Sequence, residues 1–128
     1  MADPSKLKYT PTHEWVSVDG KTATVGITDH AQKEISDVVF IELPKPDRLL
    51  RQKESAMVIE SVKAAFDIYA PVSGKVIRVN EKLKAKPELV NQSPYGDGWL
   101  FEMECSNAGE LESLMNEVDY NRVKDSAH

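Results

Sequence analysis

The chain has 128 residues, 41% of them hydrophobic and 29% charged, with a formal net charge of -5. That length suits one core and is short for two. An acidic balance without clustered Lys and Arg argues against a nucleic-acid partner, and no apolar run approaches the roughly 20 residues of a membrane helix, which argues against a membrane span.

The start, MADPSKLKY, has neither the apolar segment of a secretion signal nor the Arg-rich, acid-poor character of a transit peptide. The expectation is a protein that works where it is made, in a bacterial cytoplasm, or a mature mitochondrial-matrix chain whose transit peptide has been removed. His13 to Ile27 reads as a hairpin: Trp15-Val16-Ser17-Val18, an Asp19-Gly20 turn of type I′, then Ala23, Val25 and Ile27 alternating with Thr22, Thr24 and Gly26. Asp29-His30-Ala31-Gln32 has capping-box spacing, with Ala31 and Ile35 four apart, and predicts a short helix.

Val38 to Leu43 is an apolar, β-branched run stopped by Pro44 and Pro46. A charged connector, Asp47 to Glu54, leads into Ala56-Met57-Val58-Ile59. After Ser61-Val62-Lys63-Ala64 a strand over Phe66 to Ala70 meets Pro71-Val72-Ser73-Gly74, and Lys75 to Val79 follows as another. Polar Asn80 to Asn91 and the turn-rich Ser93 to Gly98 predict surface loops before a last strand, Trp99 to Met103. At the end, Asn107-x-x-Glu110 has N-cap chemistry, and Leu111, Leu114, Met115 and Val118 fall at i, i+3, i+4 and i+7, the stripe of an amphipathic helix. About seven short strands with marginal helices predict a mainly β domain of sandwich or barrel type, a single unit over 1-128 with a lysine hairpin at about 56-70 and a C-terminal helical segment at about 107-125.

The informative segment is Glu60-Ser61-Val62-Lys63-Ala64-Ala65, followed by Asp67 and by Tyr69 to Gly74. A lysine in a tight turn between strands projects its amine on a rigid base, and small neighbours leave room for a modifying enzyme. Position alone would make Lys63 an ordinary solvated charge, since surface turns are normally polar. The words around it change that reading. ESVKA, followed by YAPVSG, resembles the lipoyl-lysine motif of the H-proteins of the glycine cleavage system. The resemblance continues through LKY at 7-9, HEW at 13-15, VGITDHAQ at 25-32, VVFIELP at 38-44, LVN at 89-91, PYGDGWL at 94-100 and GELESLM at 109-115, and so covers essentially the whole chain.

The resemblance implies a lipoyl/biotinyl-type barrel-sandwich hybrid with a covalent lipoic acid on Lys63, and Glu60, Val62 and Ala64 as the attachment motif. It implies a carrier without catalysis of its own. The aminomethyl group of glycine would pass from the pyridoxal phosphate glycine decarboxylase (P-protein) to the tetrahydrofolate-dependent aminomethyltransferase (T-protein), with reoxidation by dihydrolipoamide dehydrogenase (L-protein). A lipoate-attaching ligase or transferase would load a monomer. Thr12, Glu14 and Asp67 match a cleft in which the family docks its loaded arm.

The match departs in two places. The stretch DRLLRQKESAMV at 47-58 lacks the glycines that H-proteins usually carry there, and Phe66 stands where a small polar residue is common. Two related readings remain: an H-like lipoate relay protein, which sequence does not separate, and a lipoyl domain of a 2-oxoacid dehydrogenase complex, which would carry D-K-A and lack the HEW block. A biotinyl carrier would flank its lysine with Met. Metal chemistry is not expected: Ser17 stands where the second His of H-E-x-x-H belongs, and with only His13, His30 and His128 a three-His site would need the terminal residue. His30 reads as an exposed histidine near a helix start. Cys105, without C-x-x-C, reads as inert packing, which also fits a reducing compartment, and Met57, Met103 and Met115 read as core.

Overall fold

Period-2 alternation makes most of the chain extended, and the places where it breaks set the architecture. The computed structural model describes residues 3–124. In chain order it contains β1 (Lys8–Tyr9), β2 (Glu14–Asp19), β3 (Thr22–Ile27), α1 (Asp29–Ile35), β4 (Val38–Glu42), β5 (Leu49–Leu50), β6 (Ser55–Ser61), β7 (Ala65–Tyr69), β8 (Gly74–Val79), α2 (Lys82–Ala85), α3 (Leu89–Gln92), β9 (Phe101–Cys105) and α4 (Glu117–Val123), with 3-10 turns at Pro4–Lys6 and Ala108–Ser113. The two strands beyond the expected seven, β1 and β5, are two residues long, too short to leave a periodic signal.

Every strand pairing is antiparallel. One sheet runs β1-β2-β3-β9-β8-β5 and the other β4-β6-β7. Alternate residues of both sheets, among them Val25, Ile59, Val76, Phe101 and Met103, fill one shared core from which water is excluded. This is the mainly β, flattened two-sheet architecture that the sequence led us to expect. A second, smaller cluster joins Leu7, Tyr9, Trp15 and Tyr120. Within it Tyr9 and Tyr120 stack at 4.7 Å, and the Trp15 indole donates to the Pro94 carbonyl at 3.0 Å. Gly26 faces that indole across the sheet, and a Cβ there would collide with it.

Five local expectations change. Asp19 pairs with Thr22, so the β2–β3 turn is centred on Gly20 and Lys21. Gly20 has φ 63 and Lys21 is not in the left-handed region, which gives a turn with positive φ at its first central residue alone and not type I′. The cap of α1 is Thr28, whose hydroxyl accepts from Ala31 N at 3.1 Å, one residue ahead of the expected capping box.

Residues 80–91 are not surface loop throughout. Leu83 and Val90 are buried on the short helices α2 and α3, and the buried Asn80 donates to the carbonyls of Asp97 and Trp99 at 2.7 and 2.8 Å. Trp99 itself precedes the last strand.

The C-terminal segment is not one amphipathic helix. Asn107 caps only the 3-10 turn, Leu114 turns extended, Met115 bridges to Tyr9, and α4 starts afresh on the Asn116 cap. The i, i+3, i+4, i+7 stripe fails because Met115 exchanges both backbone hydrogen bonds with Tyr9 (2.7 and 2.9 Å), a ladder no helix allows, and Val118 is 59% exposed. Residue 125 of the expected segment lies outside the described residues.

Candidate functional site

β6 and β7 form a hairpin, Ser55 opposite Tyr69 at its base and Glu60 opposite Ala65 near its tip. The tip is braced by its own backbone and by one hydroxyl. Ser61 N donates to the Ala64 carbonyl at 2.8 Å, and Ser61 Oγ accepts from Lys63 N at 3.2 Å and Ala64 N at 3.3 Å. Val62 N donates to the Asp37 carbonyl at 3.0 Å, which ties the tip to the entry of β4. Neither Val62 nor Lys63 has positive φ, so the turn needs no glycine. Val62, Lys63 and Ala64 are exposed, as is Glu60. The result is a fixed backbone with a lysine side chain in solvent.

The glycine-free connector keeps its turns. Asp47 and Lys53 take φ 71 and 74, conformations that favour glycine, and their amides donate to the carbonyls of Val76 at 2.7 Å and Ala70 at 2.8 Å. Left-handed backbone costs a side-chain-bearing residue roughly 1 to 2 kcal/mol. The connector therefore approaches the hairpin by the turns that glycines would make, at the expense of some stability.

Two cavities flank the hairpin. One, of about 290 Å³, has apolar walls from Ile27, Ile35, Phe66 and Ile68, with Lys63 and Asp67 at its edge. The other, of about 580 Å³, is lined by Thr10, Thr12, Glu14, Tyr69 and Leu114 among others. Thr12 lines both. The three residues expected in one cleft are thus divided: Glu14 faces one cavity, Asp67 the other, and Thr12 stands between them. Asp67 accepts from Ser55 Oγ at 2.9 Å across the hairpin, and Phe66, the departure from the family pattern, is part of the apolar wall beside Lys63.

Glu14 is the electrostatically unusual group. It is 1% exposed, and both Thr10 and Thr12 hydroxyls donate to Oε1 at 2.5 Å while Tyr69 N reaches Oε2 at 3.3 Å. Burial pushes its carboxyl up to about 7, against the opposing pull of those donors.

The parts played by Thr10, Tyr69 N and the Ser61 hydroxyl could not be read from the sequence. A threonine two residues before a threonine, and a serine two before a lysine, carry no signal until the backbone brings them round. The remaining candidates take structural places. Met57 and Met103 are core and Met115 packs on the smaller cluster. Burial, reinforced by the Glu110 carboxylate, pushes the Cys105 thiol up, the wrong direction for a nucleophile. His30 is half-buried, its side chain only 18% exposed, rather than an exposed capping residue.

A flattened β sandwich of two sheets, with a lysine alone at a braced, exposed hairpin tip, is the architecture of a lipoyl-type carrier. Comparison with known proteins narrows it. The family model described as Glycine cleavage H-protein matches residues 7–127. The glycine cleavage system H protein of Thermotoga maritima is 58% identical over 113 residues, 88% of this chain and 91% of that one; that of Methylacidiphilum infernorum is 53% identical over 123 residues, 96% of each. A crystal structure of the glycine cleavage system H protein from Mycobacterium marinum superposes with a TM-score of 0.87 at 31% identity, covering 96% of this chain and 99% of that one. The chain belongs to the glycine cleavage H-protein family.

Proposed function

We propose that this protein is the lipoyl carrier of its glycine cleavage system, with lipoic acid in amide linkage to Lys63. The observation that carries the reading is the Ser61–Ala64 tip: its backbone is held by five hydrogen bonds while the Lys63 side chain stands in solvent. The adjoining cavity fits the group, since Ile27, Ile35, Phe66 and Ile68 offer an apolar wall to an aliphatic arm. When attached, the lipoyl disulfide supplies the acceptor for an aminomethyl group and the dithiol that is later reoxidised.

The chain's own residues tether, orient and shield. A tether turns a bimolecular encounter into one at high effective concentration. The Glu14 carboxylate, already gripped by two threonine hydroxyls, would receive the cationic amine of the loaded arm, and Thr12 and Asp67 would line its path. Such a charge-assisted contact is worth about 1.5 to 3 kcal/mol when partly desolvated, tenfold or more in favour of the docked arm.

The partners in this reading are the glycine decarboxylase, the aminomethyltransferase and dihydrolipoamide dehydrogenase, with a lipoate-attaching enzyme acting on Glu60-Ser61-Val62-Lys63-Ala64. The setting is the cytoplasm, with the carrier as a monomeric single unit. Among the described residues, no helix is long and apolar enough to cross a membrane.

Intact mass spectrometry of native protein from lipoate-replete cells tests the anchor. A lipoylated mass is expected, together with an unmodified mass for Lys63→Arg, whose guanidinium forms no such amide. A wild-type chain that remains unmodified, or a folded Lys63→Arg variant that still reconstitutes glycine cleavage, would overturn it.

A further inference from the structure

At the lysine cavity three donor side chains converge that the reading above leaves without a role. His13 comes from the loop before β2, and His30 and Glu34 lie one turn apart on the same face of α1. We propose that His13, His30 and Glu34 form a binding site for one divalent transition ion of the zinc type.

The spacing is close to what an ion requires. One donor atom from each residue lies within 4.8 Å of the others. His30 Nε2 and Glu34 Oε1 are 3.2 Å apart, and His13 Nε2 and the same oxygen 3.9 Å. Ligands about 2.0 to 2.1 Å from a tetrahedral zinc sit roughly 3.3 Å from each other, so the His30–Glu34 edge is already correct, the edge between the two imidazoles, within 4.8 Å, must shorten on binding, and the His13–Glu34 edge must close by about 0.6 Å. Glu34, with 44% of its side chain exposed, has the freedom to make that adjustment.

The third donor is held by a rigid mount. His13 has φ 73, a conformation that few side chains tolerate, and its N–H and C=O are clasped by the Thr10 carbonyl at 3.1 Å and by Thr28 N at 3.0 Å. Its Nδ1 meets the Tyr120 hydroxyl at 2.7 Å, which in turn meets Thr28 Oγ1 at 2.8 Å. A second hydrogen bond on the far ring nitrogen is how proteins orient a metal-binding imidazole. Here it leaves Nε2 directed at Glu34.

Two imidazoles and one carboxylate select zinc, cobalt or nickel over magnesium and calcium, which prefer oxygen alone. Three protein ligands leave a fourth position, the pattern of an open site. His13 and Glu34 also line the cavity that Lys63 borders, so that position opens onto it.

The test uses the full-length, untagged, chelator-stripped chain. Zn²⁺ is titrated by calorimetry, and Co²⁺ by its visible absorption, which reports coordination number. One ion per chain is expected, with a four- or five-coordinate cobalt spectrum and no competition from Mg²⁺. His30→Gln and Glu34→Gln, each checked for fold by circular dichroism, are expected to weaken binding at least tenfold. Tyr120→Phe, a change at a positioning residue, is expected to weaken it about 10- to 100-fold while leaving the cobalt coordination number unchanged. Absence of stoichiometric uptake by the folded wild type, or uptake indifferent to both helix substitutions, would mean that the three side chains are an ion-pair cluster only and would overturn the proposal.

Discussion

At the scale of single residues, Glu14 shows how burial shifts the titration of an ordinary carboxylate. Its pKa rises from 4.5 to about 7 because desolvation outweighs the hydrogen-bond donors around it. Between those values the folded state binds a proton that the unfolded chain has released. Stability contributed by this group is therefore full below about 4.5 and lost as pH rises to about 7, amounting to no more than about 3 kcal/mol. Glu14→Gln, which keeps the shape and removes the titration, is expected to flatten the fall in urea midpoint over that window; an unchanged slope would count against the raised pKa. The same substitution should leave lipoylation intact and hasten loss of the aminomethyl group from the loaded arm, read as ammonia release over time.

Ser36 makes a second case for the single residue. It closes α1 at φ 74, ψ -156, a region that only glycine occupies without strain. Ser36→Gly is expected to raise the denaturant midpoint by about 1 kcal/mol of stability, the strain removed less the entropy that glycine adds to the unfolded chain.

At the scale of elements, the short helices are held by side chains rather than by their own length. α3 has four residues, far below what an isolated helix needs. Asn91 secures it: Oδ1 accepts from Val38 N at 2.9 Å, and Nδ2 donates to the Ser36 carbonyl at 2.7 Å and to Gln32 Oε1 at 3.1 Å. One amide thus fastens α3 to the end of α1 and to the first residue of β4, next to Asp37, whose carbonyl anchors the lysine tip. Asn91→Ala leaves a backbone N–H and a C=O without partners in a half-buried place, and is expected to cost about 1 to 3 kcal/mol. Hydrogen exchange at Val38 and Val62 should quicken together; faster exchange at Val38 alone would show that the tip does not depend on this joint.

At the scale of the whole molecule, the C-terminal segment closes the structure on its beginning. Tyr120 from α4 stacks on Tyr9 and hydrogen-bonds His13 and Thr28, while Met115 pairs with Tyr9. Tyr120→Ala removes a large buried aromatic and is expected to cost about 3 kcal/mol, measured by urea denaturation. Greater mobility in α4 and at His13, seen by NMR, should accompany the loss, with the hairpin tip unaffected. Loosening confined to α4 would mean that the small cluster does not support the loop.

What the sequence determined by itself was the part governed by short-range rules. Val38 to Leu43, Ala56 to Ile59, Phe66 to Ala70 and Lys75 to Val79 read as strands because apolar and β-branched runs bounded by Pro and Gly leave little choice, and ESVKA marked a lysine between two of them. The resemblance that its surrounding blocks carry supplied the family. Tertiary structure alone decided the rest. Leu111, Leu114, Met115 and Val118 keep helical spacing, yet Met115 pairs with Tyr9, more than a hundred residues earlier in the chain, and periodicity within one segment cannot register so distant a partner. The resemblance, not periodicity, grouped Thr12, Glu14 and Asp67, and only the fold shows that Glu14 and Asp67 line two cavities that share Thr12. Nor could the sequence bring Glu34 beside His13 and His30, because only a helix turn and a left-handed loop put the three side chains together.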